Sequence, residues 1–530
     1  MKTLKEPLAG LGGRLRRLPG LLALAATMAL AGCGIVAQQA SDARHHQVAA
    51  EVSSPRRGAL TEREMEMARI AWTYFENNFQ PKTGFVNAVQ NYPSTTMWDT
   101  ASYMAALLAA RELGLIDKDK YDTRLRLLLG TLLKLDLFRG EMPNKVYDTQ
   151  TAAKVDYTNK PGEIGFSAID LGRLFIWLKI TKERFPEHSD AIDRFMLRLD
   201  FRRVLDRNGT MFGAMLDKEG KVQYVQEGRL GYEEYAAKGF ELWGFNAAQA
   251  LAPEPFDTIQ VYGVALPYDT RDPRRFSQHN YVVAESYVLD ALEMNWDQAL
   301  DRRDDDRHHS QCWMADFGHR VYRVQEMRHQ VTGILTARTE HQLDRAPYFV
   351  YDTIYSDGYP WNTITDTGKY VPEVAAVALK AALGMWVLWE TPYTDLLFDA
   401  ISSAHDPKKG FFEGLYENGS GPIREHTANN NGIMLEALLY KVQGKLLKWG
   451  ERDGGLWEAI GADPFAENVK GVPRFVRASL VKTPTPSVRP NDPGRLWRAS
   501  QAGPAAPSCG RCSCANEPFD YSPGWRVQPR

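Results

Sequence analysis

About a dozen segments of this 530-residue chain have the apolar spacing of an α-helix, and they follow one another mostly in pairs. One helical face of residues 121–135, for example, is formed by Leu125, Leu128, Leu129, Leu132 and Leu133. Strand patterns are few and short, as in the hairpin expected after Asn208–Gly209. This succession predicts an all-α fold. An (α/α)6 toroid with short β-hairpins in the inter-helix loops fits better than an open superhelical array, because no strict repeat is visible.

Three local predictions accompany this architecture. Residues 232–251 are expected to form one continuous helix, and residues 333–339 have the apolar content of a strand. Asp170 and Arg173 are spaced three apart on one predicted helix, so the sequence favours an ion pair between them.

The N-terminus resembles that of a bacterial lipoprotein. A basic segment precedes the apolar residues 21–30, which end in Leu-Ala-Gly-Cys33. We therefore expect a signal peptide over 1–32, lipidation of Cys33, a polar tether over 33–59 and the toroid over 60–450. Glycine after the cysteine favours an outer-membrane anchor facing the periplasm over an inner-membrane one.

Residues 451–530 are rich in proline and arginine and predict a largely irregular tail. Its three cysteines, Cys509, Cys512 and Cys514, lack a nearby histidine or fourth cysteine, so a local disulfide is a plainer prediction than a metal site. We expect no metal and no cofactor. The formal net charge of −2 does not indicate nucleic-acid binding.

The stretch around Trp98–Asp99 is the most informative for function. It places an aromatic side chain and a carboxylate where a loop becomes a small-residue helix that ends at Gly114. Exposed N–H groups at a helix N-terminus favour an ionised carboxylate, so the pKa of Asp99 is expected to be lowered. Either a sugar site is built there, or Asp99 caps the helix and Trp98 packs in the core.

Several dispersed motifs occur in order between residues 60 and 447. They are Trp98–Tyr103, Gly165–Asp170, Gly239–Gly244, Thr332–Glu340, Phe349–Asp352, Gly410–Glu417 and Thr427–Asn431. Together they resemble the bacterial family called domain of unknown function 3131. That family is similar to the (α/α)6 glycoside hydrolases that act on β-1,2-glucans and related polysaccharides, so the resemblance implies a toroid and a carbohydrate partner. It carries over no catalytic residue, because the chemistry of the family is unassigned.

Glycoside hydrolysis needs one protonated and one ionised carboxyl group. Asp99 suits the base. Glu413 lies between aromatic residues that would raise its pKa, which suits the acid, and Glu340 is the alternative acid. Each has a structural alternative as a capping, turn-stabilising or ion-paired group. Substrate-binding positions are predicted at Trp98, Glu163, Tyr351, Asp352, Trp361, Tyr416 and Asn430.

The sequence thus predicts a lipid-anchored, glycoside hydrolase-like protein that acts on a bacterial β-glucan or exopolysaccharide. Two alternatives remain open: a non-catalytic, glycan-binding toroid in envelope polysaccharide export, and a polysaccharide lyase. The toroid itself does not choose between them, since one fold hosts many functions.

Overall fold

The computed structural model describes residues 54–273, 279–305, 308–450, 454–463 and 471–475. The predicted signal peptide, Cys33, the tether before residue 54 and the cysteines at 509, 512 and 514 lie outside these ranges. No helix in the described part of the chain is long and apolar enough to cross a membrane.

Thirteen α-helices occur in the described residues, and the first twelve alternate between an outer and an inner layer. The outer helices are α1 (Glu62–Asn78), α3 (Lys118–Leu132), α5 (Ser189–Arg198), α7 (Ala248–Leu251), α9 (Cys312–Thr332) and α11 (Pro392–Ile401). The inner helices are α2 (Met97–Glu112), α4 (Ala168–Arg184), α6 (Tyr232–Glu241), α8 (Glu285–Met294), α10 (Leu379–Leu388) and α12 (Ala428–Gln443). A last helix, α13, spans Leu456–Ala462.

The inner helices form a closed ring. Each packs against the next in the order α2, α4, α6, α8, α10, α12, and α12 packs back against α2. All residues of α8 and α10 are buried, whereas the outer helices bury one face, as α3 does with Leu125, Leu128 and Leu129. The (α/α)6 toroid predicted from the sequence is therefore confirmed.

Glycines set the closest approaches within this ring. A Cβ atom at Gly172 on α4 would collide with the backbone of Ala236 on α6, and one at Gly239 would collide with the backbone of Gly172. A Cβ at Gly432 on α12 would approach the carbonyl oxygen of Ser102 on α2 to 2.8 Å. These contacts bring the backbone of α4 close to that of α6, and the backbone of α12 close to that of α2.

Nineteen short strands lie in the loops of the described chain. They are β1 (Ser94–Thr96), β2 (Val146–Asp148), β3 (Lys154–Val155), β4 (Gly165–Phe166), β5 (Phe212–Leu216), β6 (Val222–Gln226), β7 (Phe256–Val261), β8 (Val264–Asp269), β9 (Tyr281–Val282), β10 (His341–Gln342), β11 (Phe349–Asp352), β12 (Tyr355–Ser356), β13 (Tyr359–Pro360), β14 (Thr363–Ile364), β15 (Ala376–Ala378), β16 (His405–Asp406), β17 (Gly410–Phe411), β18 (Gly414–Tyr416) and β19 (Pro422–Ile423). The sheets, all antiparallel, are β1-β2-β3, β4-β5-β6, β7-β8, β13-β12-β9, β10-β11-β14, β15-β18-β19 and β16-β17.

Two of the local predictions are wrong. The helix expected over 232–251 ends at Glu241, because a turn with Gly244 at a positive φ of 87° separates it from α7. Residues 333–339 form no ladder beyond a single bridge between Ala337 and Val377, since Gly333 ends α9 and the chain then runs through the loop layer.

The ends of the described chain are more ordered than the sequence suggested. The backbone N–H of Arg56, within the predicted tether, donates to the carbonyl of Val387 over 2.8 Å. Within the predicted tail, Trp457 on α13 is 1% exposed and packs edge-on against Trp243. Glu458 pairs with Lys182 at 2.8 Å. Burial of aromatic surface thus holds part of the tail on the toroid.

Candidate active site

The floor of the candidate site is built where the N-terminal ends of the inner helices meet. Trp98 on α2 donates its indole N–H to Glu285 on α8 and to the side-chain oxygen of Asn429 on α12, each over 3.2 Å. The amide of Asn429 donates to Glu285 over 2.9 Å, and Lys380 on α10 pairs with Glu285 at 2.5 Å. Glu285 and Lys380 are buried, whereas Trp98 and Asn429 are half-buried. The indole and the amide are thus the groups of this network that solvent reaches.

Two aspartates stand at equivalent places on neighbouring inner helices. Asp99 is the third residue of α2, and its carboxylate accepts a hydrogen bond from the hydroxyl of the N-cap residue Thr96 over 2.8 Å. Asp170 is the third residue of α4 and accepts from the N-cap hydroxyl of Ser167 over 3.1 Å. Each backbone N–H donates back to the same hydroxyl. Both residues are half-buried, so neither is closed off from solvent.

The pKa values of both aspartates are raised. Burial raises the pKa of Asp170 to about 7, helped by the negative charges of Glu227 and Asp99. Burial also raises the pKa of Asp99, while its hydrogen bonds to Thr96 and the positive charges of Arg173 and Lys380 oppose the rise. The prediction of a lowered pKa for Asp99 is therefore wrong, because desolvation outweighs the stabilisation available at the helix N-terminus.

Glu227 is held beside Asp170 by the start of α4. It follows β6 directly, and its carboxylate accepts a hydrogen bond from the backbone N–H of Ala168, the first residue of that helix. A Cβ atom at Gly213 on β5 would collide with the same carboxylate, so glycine is required there for Glu227 to reach the helix.

The ion pair predicted between Asp170 and Arg173 does not form. Arg173 instead pairs with Glu436 on α12 at 3.2 Å and with Glu293 on α8 at 3.6 Å. Its side chain points to the axis of the ring, whereas the carboxylate of Asp170 turns back to the N-cap of its own helix.

Glu340 lies at the site and is held by two tyrosines. Tyr232 and Tyr281 donate their hydroxyls to its two oxygens over 2.9 and 2.8 Å. Burial and the charge of Glu285 raise its pKa, against the opposing charge of Arg229. Glu340 is thus a carboxyl group near the site whose pKa is raised, but both of its oxygens already accept hydrogen bonds.

Glu413 is buried behind the site. Burial raises its pKa to about 7, the direction predicted for it. However, it is 2% exposed, and its oxygens accept hydrogen bonds from the Thr427 hydroxyl over 2.5 Å and from the Gln342 backbone over 3.1 Å. These contacts join β10 to the N-cap of α12, so the geometry favours a structural role over that of the acid.

Three predicted substrate-binding residues are buried structural groups. The carboxylate of Asp352 accepts from Ala376 N–H over 2.8 Å and pairs with Arg338 at 3.1 Å. The side chain of Asn430 accepts from the backbone of Lys380 and donates to that of Phe412. Tyr416 packs in a hydrophobic cluster with, among others, Val350, Val374 and Ile423. All three placements contradict the predicted contact with substrate, because the side chains are directed into the core.

Two further predicted substrate-binding residues, Glu163 and Trp361, contact basic side chains of the protein. Glu163 pairs with Lys154 and, at 3.3 Å, with Arg139. The indole of Trp361 lies under the guanidinium of Arg328 at 4.4 Å from its ring centroid. A local partner therefore explains each side chain, and neither joins the Trp98 network.

A cavity of about 1230 Å³ lies between the loop strands, and Glu227 and Arg229 are among the residues that line it. Tyr351, a predicted substrate-binding residue, also lines it, and its ring lies 4.7 Å from that of Tyr281. The aromatic and charged side chains along its wall include Lys145, Glu227, Arg229, Tyr268, Asp269, Arg271, His279, Tyr351, Tyr355 and Asp366.

Several residues of the candidate site are not predicted from the sequence. A signal for Asp170 was present, since Ser167–Asp170 repeats the spacing of Thr96–Asp99 at the start of another inner helix. No local sequence pattern distinguishes Glu227, Glu285 or Lys380. These residues come near the site only because the ring of inner helices closes.

In the described residues, one group of possible metal ligands is present, formed by Asp122, Glu187 and His188. It lies by α3 and the start of α5, apart from the Trp98 network. The ammonium of Lys118 pairs with Asp122 at 2.5 Å, so a protein cation already balances this carboxylate.

A family model described as a protein of unknown function, DUF3131, matches residues 66–444. The chain belongs to this family. The resemblance noted from the motifs is thereby confirmed. No match to this DUF3131 protein was found among curated proteins.

Solved structures with the same fold are similar to this DUF3131 chain over most of its length. A candidate glucoamylase from Bacteroides caccae ATCC 43185 has a TM-score of 0.53 at 13% identity, covering 72% of this chain and 94% of that one. An endo-beta-1,2-glucanase from Chitinophaga pinensis, in complex with sophorotriose and glucose, has a TM-score of 0.50 at 15% identity, covering 73% and 94%. A candidate glucoamylase from Bacteroides fragilis NCTC 9343 has a TM-score of 0.52 at 14% identity, covering 74% and 94%. At these identities the likeness establishes the fold alone.

Proposed function

We propose that this DUF3131 protein is a glycoside hydrolase that cleaves a β-glucan or a related bacterial polysaccharide at the N-terminal ends of its inner helices. The observation that carries the proposal is the pair Asp99 and Asp170, two reachable carboxyl groups in different electrostatic surroundings. Two carboxyl groups of opposite protonation state are what this reaction requires.

Asp170 is the general acid. With two negative neighbours it retains its proton up to about pH 7, so it can protonate the leaving oxygen of a glycosidic bond. Asp99 is the base or nucleophile: burial raises its pKa as well, but the positive charges of Arg173 and Lys380 oppose that rise. The negative charge of Glu227, at the start of α4, contributes to the raised pKa of Asp170. Relative to the sequence prediction, the acid moves from Glu413 or Glu340 to Asp170.

The surroundings suit a carbohydrate chain. The half-buried ring of Trp98 and the ring of Tyr351 offer flat apolar faces, and the Asn429 amide offers hydrogen bonds to hydroxyls. The cavity volume of about 1230 Å³ exceeds the usual range of about 300–1,000 Å³ for small-molecule pockets, which supports an oligosaccharide over a single sugar. The fold likeness to the Chitinophaga pinensis endo-beta-1,2-glucanase makes β-1,2-glucan the first substrate to test.

The proposal is tested by incubating the full-length chain with β-1,2-, β-1,3- and β-1,6-glucans and envelope polysaccharides, while reducing ends and ultraviolet absorbance are followed together. New reducing ends without absorbance, lost in Asp99→Asn and Asp170→Asn, support hydrolysis. Absorbance of an unsaturated product would overturn the proposal in favour of a lyase. Binding without cleavage across the panel would overturn it in favour of a glycan-binding toroid.

We also propose that the protein is lipid-anchored at Cys33 and faces the periplasm from the outer membrane. The lipoprotein-like N-terminal sequence supports this. Arg56 and Gly58 bond to Val387 and Lys441, near the C-terminal ends of α10 and α12. The chain therefore enters the domain at the end of the ring opposite the candidate site, which would leave the site free. Acyl labelling of the wild type, absent in Cys33→Ser, tests the anchor; equal labelling of both would contradict it.

A further inference from the structure

Arg173 is a fully buried cation that joins three other inner helices beneath the candidate site. From α4 it donates to the hydroxyl of Ser102 on α2 over 2.7 Å and to the side-chain oxygen of Asn429 on α12 over 3.1 Å. Its guanidinium lies 4.7 Å from the ring centroid of Trp98. The same group pairs with Glu436 on α12 and lies 3.6 Å from Glu293 on α8.

The carboxyl groups below Arg173 are also closed off from solvent. Glu293 accepts hydrogen bonds from the indole of Trp177 over 2.7 Å and the hydroxyl of Tyr235 over 2.5 Å. Burial and the adjacent charge of Glu293 raise the pKa of Glu436, and the guanidinium of Arg173 lies against both carboxyl groups.

Stability alone does not account for such a cluster. Replacing a buried ion pair by well-packed apolar residues is often neutral or stabilising, because charges are costly to remove from water. The upper edge of the cluster, however, touches the two solvent-reachable groups of the site floor. The oxygen of Asn429 accepts from Trp98, Ser102 and Arg173, which fixes the amide with its nitrogen towards Glu285.

We propose that Arg173 is a positioning residue of the site: it fixes the ring of Trp98 and the amide of Asn429 in the floor without touching substrate. A planar guanidinium suits this task, since it donates along two directions and stacks on an indole at once. A lysine at the same place would supply charge but not this geometry. The catalytic part of this inference rests on the proposed hydrolase function.

Chemical rescue tests the role of Arg173. Arg173→Ala removes the group and leaves space for a small planar cation. We expect kcat/KM on the best glucan of the panel to fall about 100-fold, the loss associated with misplaced binding groups. Low millimolar guanidinium should restore a large part of it, whereas methylammonium, which has the charge without the planar geometry, should not. Undiminished activity of Arg173→Ala, or equal effects of both additives, would overturn the proposal.

A second variant separates positioning from folding. Arg173→Met with Glu293→Gln removes one positive and one negative charge, so the formal net charge of the cluster is unchanged. This double variant should retain the wild-type circular dichroism spectrum and still lose at least ten-fold in kcat/KM; full activity would overturn the proposal. The matched control is the pair Lys238 and Asp290 on α6 and α8, also fully buried and 2.7 Å apart. Lys238→Met with Asp290→Leu should leave kcat/KM unchanged per folded molecule.

The two proposals fail in different ways. If the wild type binds a glycan without cleaving it, the hydrolase proposal fails. The loss in Arg173→Ala and its rescue by guanidinium are then measured on the Kd for that glycan. If it binds none, the fluorescence of Trp98, obtained as the difference from Trp98→Phe, gives a readout independent of ligand. It should change in Arg173→Ala and return with guanidinium; an unchanged spectrum would overturn the positioning role alone.

Discussion

The carboxylates of Asp99 and Asp170 occupy the same third position on adjacent inner helices, each bonded to the hydroxyl of its own N-cap residue. The construction is shared, but the neighbouring charges differ. Asp99 is near Arg173 and Lys380, whereas Asp170 is near Glu227. Closure of the ring therefore gives two similar side chains different tendencies to ionise, and this difference is the basis of the acid and base assignments.

The pH dependence of hydrolysis should report Asp170. Because this carboxyl must be protonated to act as the acid and its pKa is raised to about 7, kcat/KM should fall as the pH rises above about 7. Initial rates across the pH range on a neutral glucan measure this. A rate that stays constant well above pH 7 would contradict the assignment.

The same pKa predicts a pH-dependent gain in stability for Asp170→Asn. Between the ordinary aspartate pKa of 3.8 and about 7, the folded chain binds a proton at Asp170 that the unfolded chain does not. Stability from this carboxyl is thus complete below pH 3.8 and is lost as the pH rises through about 7. The amide never ionises, so the difference in Tm between Asp170→Asn and the wild type should increase as the pH rises from 3.8 to about 7. A difference independent of pH would contradict the raised pKa.

Glu413→Gln should act on stability more than on catalysis. Both oxygens of Glu413 accept internal hydrogen bonds, and the amide group of glutamine would turn a donor towards one of these donors. Loss of a buried hydrogen bond suggests a cost of about 1–3 kcal/mol in the free energy of unfolding. Denaturant unfolding and kcat per folded molecule are the measurements. Full stability with abolished activity would return Glu413 to the catalytic candidates.

The fold could be predicted because its signals are local. Long apolar periodicities and an N-cap threonine before α1 are visible in the sequence. Trp98 and Asp99 were found for the same reason, since a helix start can be recognised from neighbouring residues. The ring order, in contrast, depends on which inner helices pack together.

The errors in the site have physical causes that local spacing does not contain. Arg173 takes partners from α8 and α12 rather than Asp170 on its own helix, because the ring axis supplies buried carboxylates. Of the consecutive asparagines that begin α12, the rotation of the helix directs Asn429 to the site and Asn430 to the core. Desolvation, which reverses the expected pKa shift of Asp99, likewise depends on the complete fold.

Trp457→Ala tests the docking of the tail segment. The indole of Trp457 is 1% exposed and donates to the carbonyl of Trp243 over 3.1 Å. Truncation of a buried tryptophan typically lowers the free energy of unfolding by about 3–5 kcal/mol. Thermal unfolding measures the loss, with Leu396→Ala as control because Leu396 is 50% exposed. An unchanged Tm for Trp457→Ala would mean that α13 does not stabilise the toroid.

The most direct test of the central claim is the rate at which the wild type, Asp170→Asn and Asp217→Asn release reducing ends from β-1,2-glucan. Asp217, in the turn between β5 and β6, is the control carboxylate. The account predicts hydrolysis by the wild type and Asp217→Asn, and a rate about 10²–10⁴-fold lower for Asp170→Asn, the range expected when a general acid is removed. Hydrolysis by Asp170→Asn at the wild-type rate would contradict it.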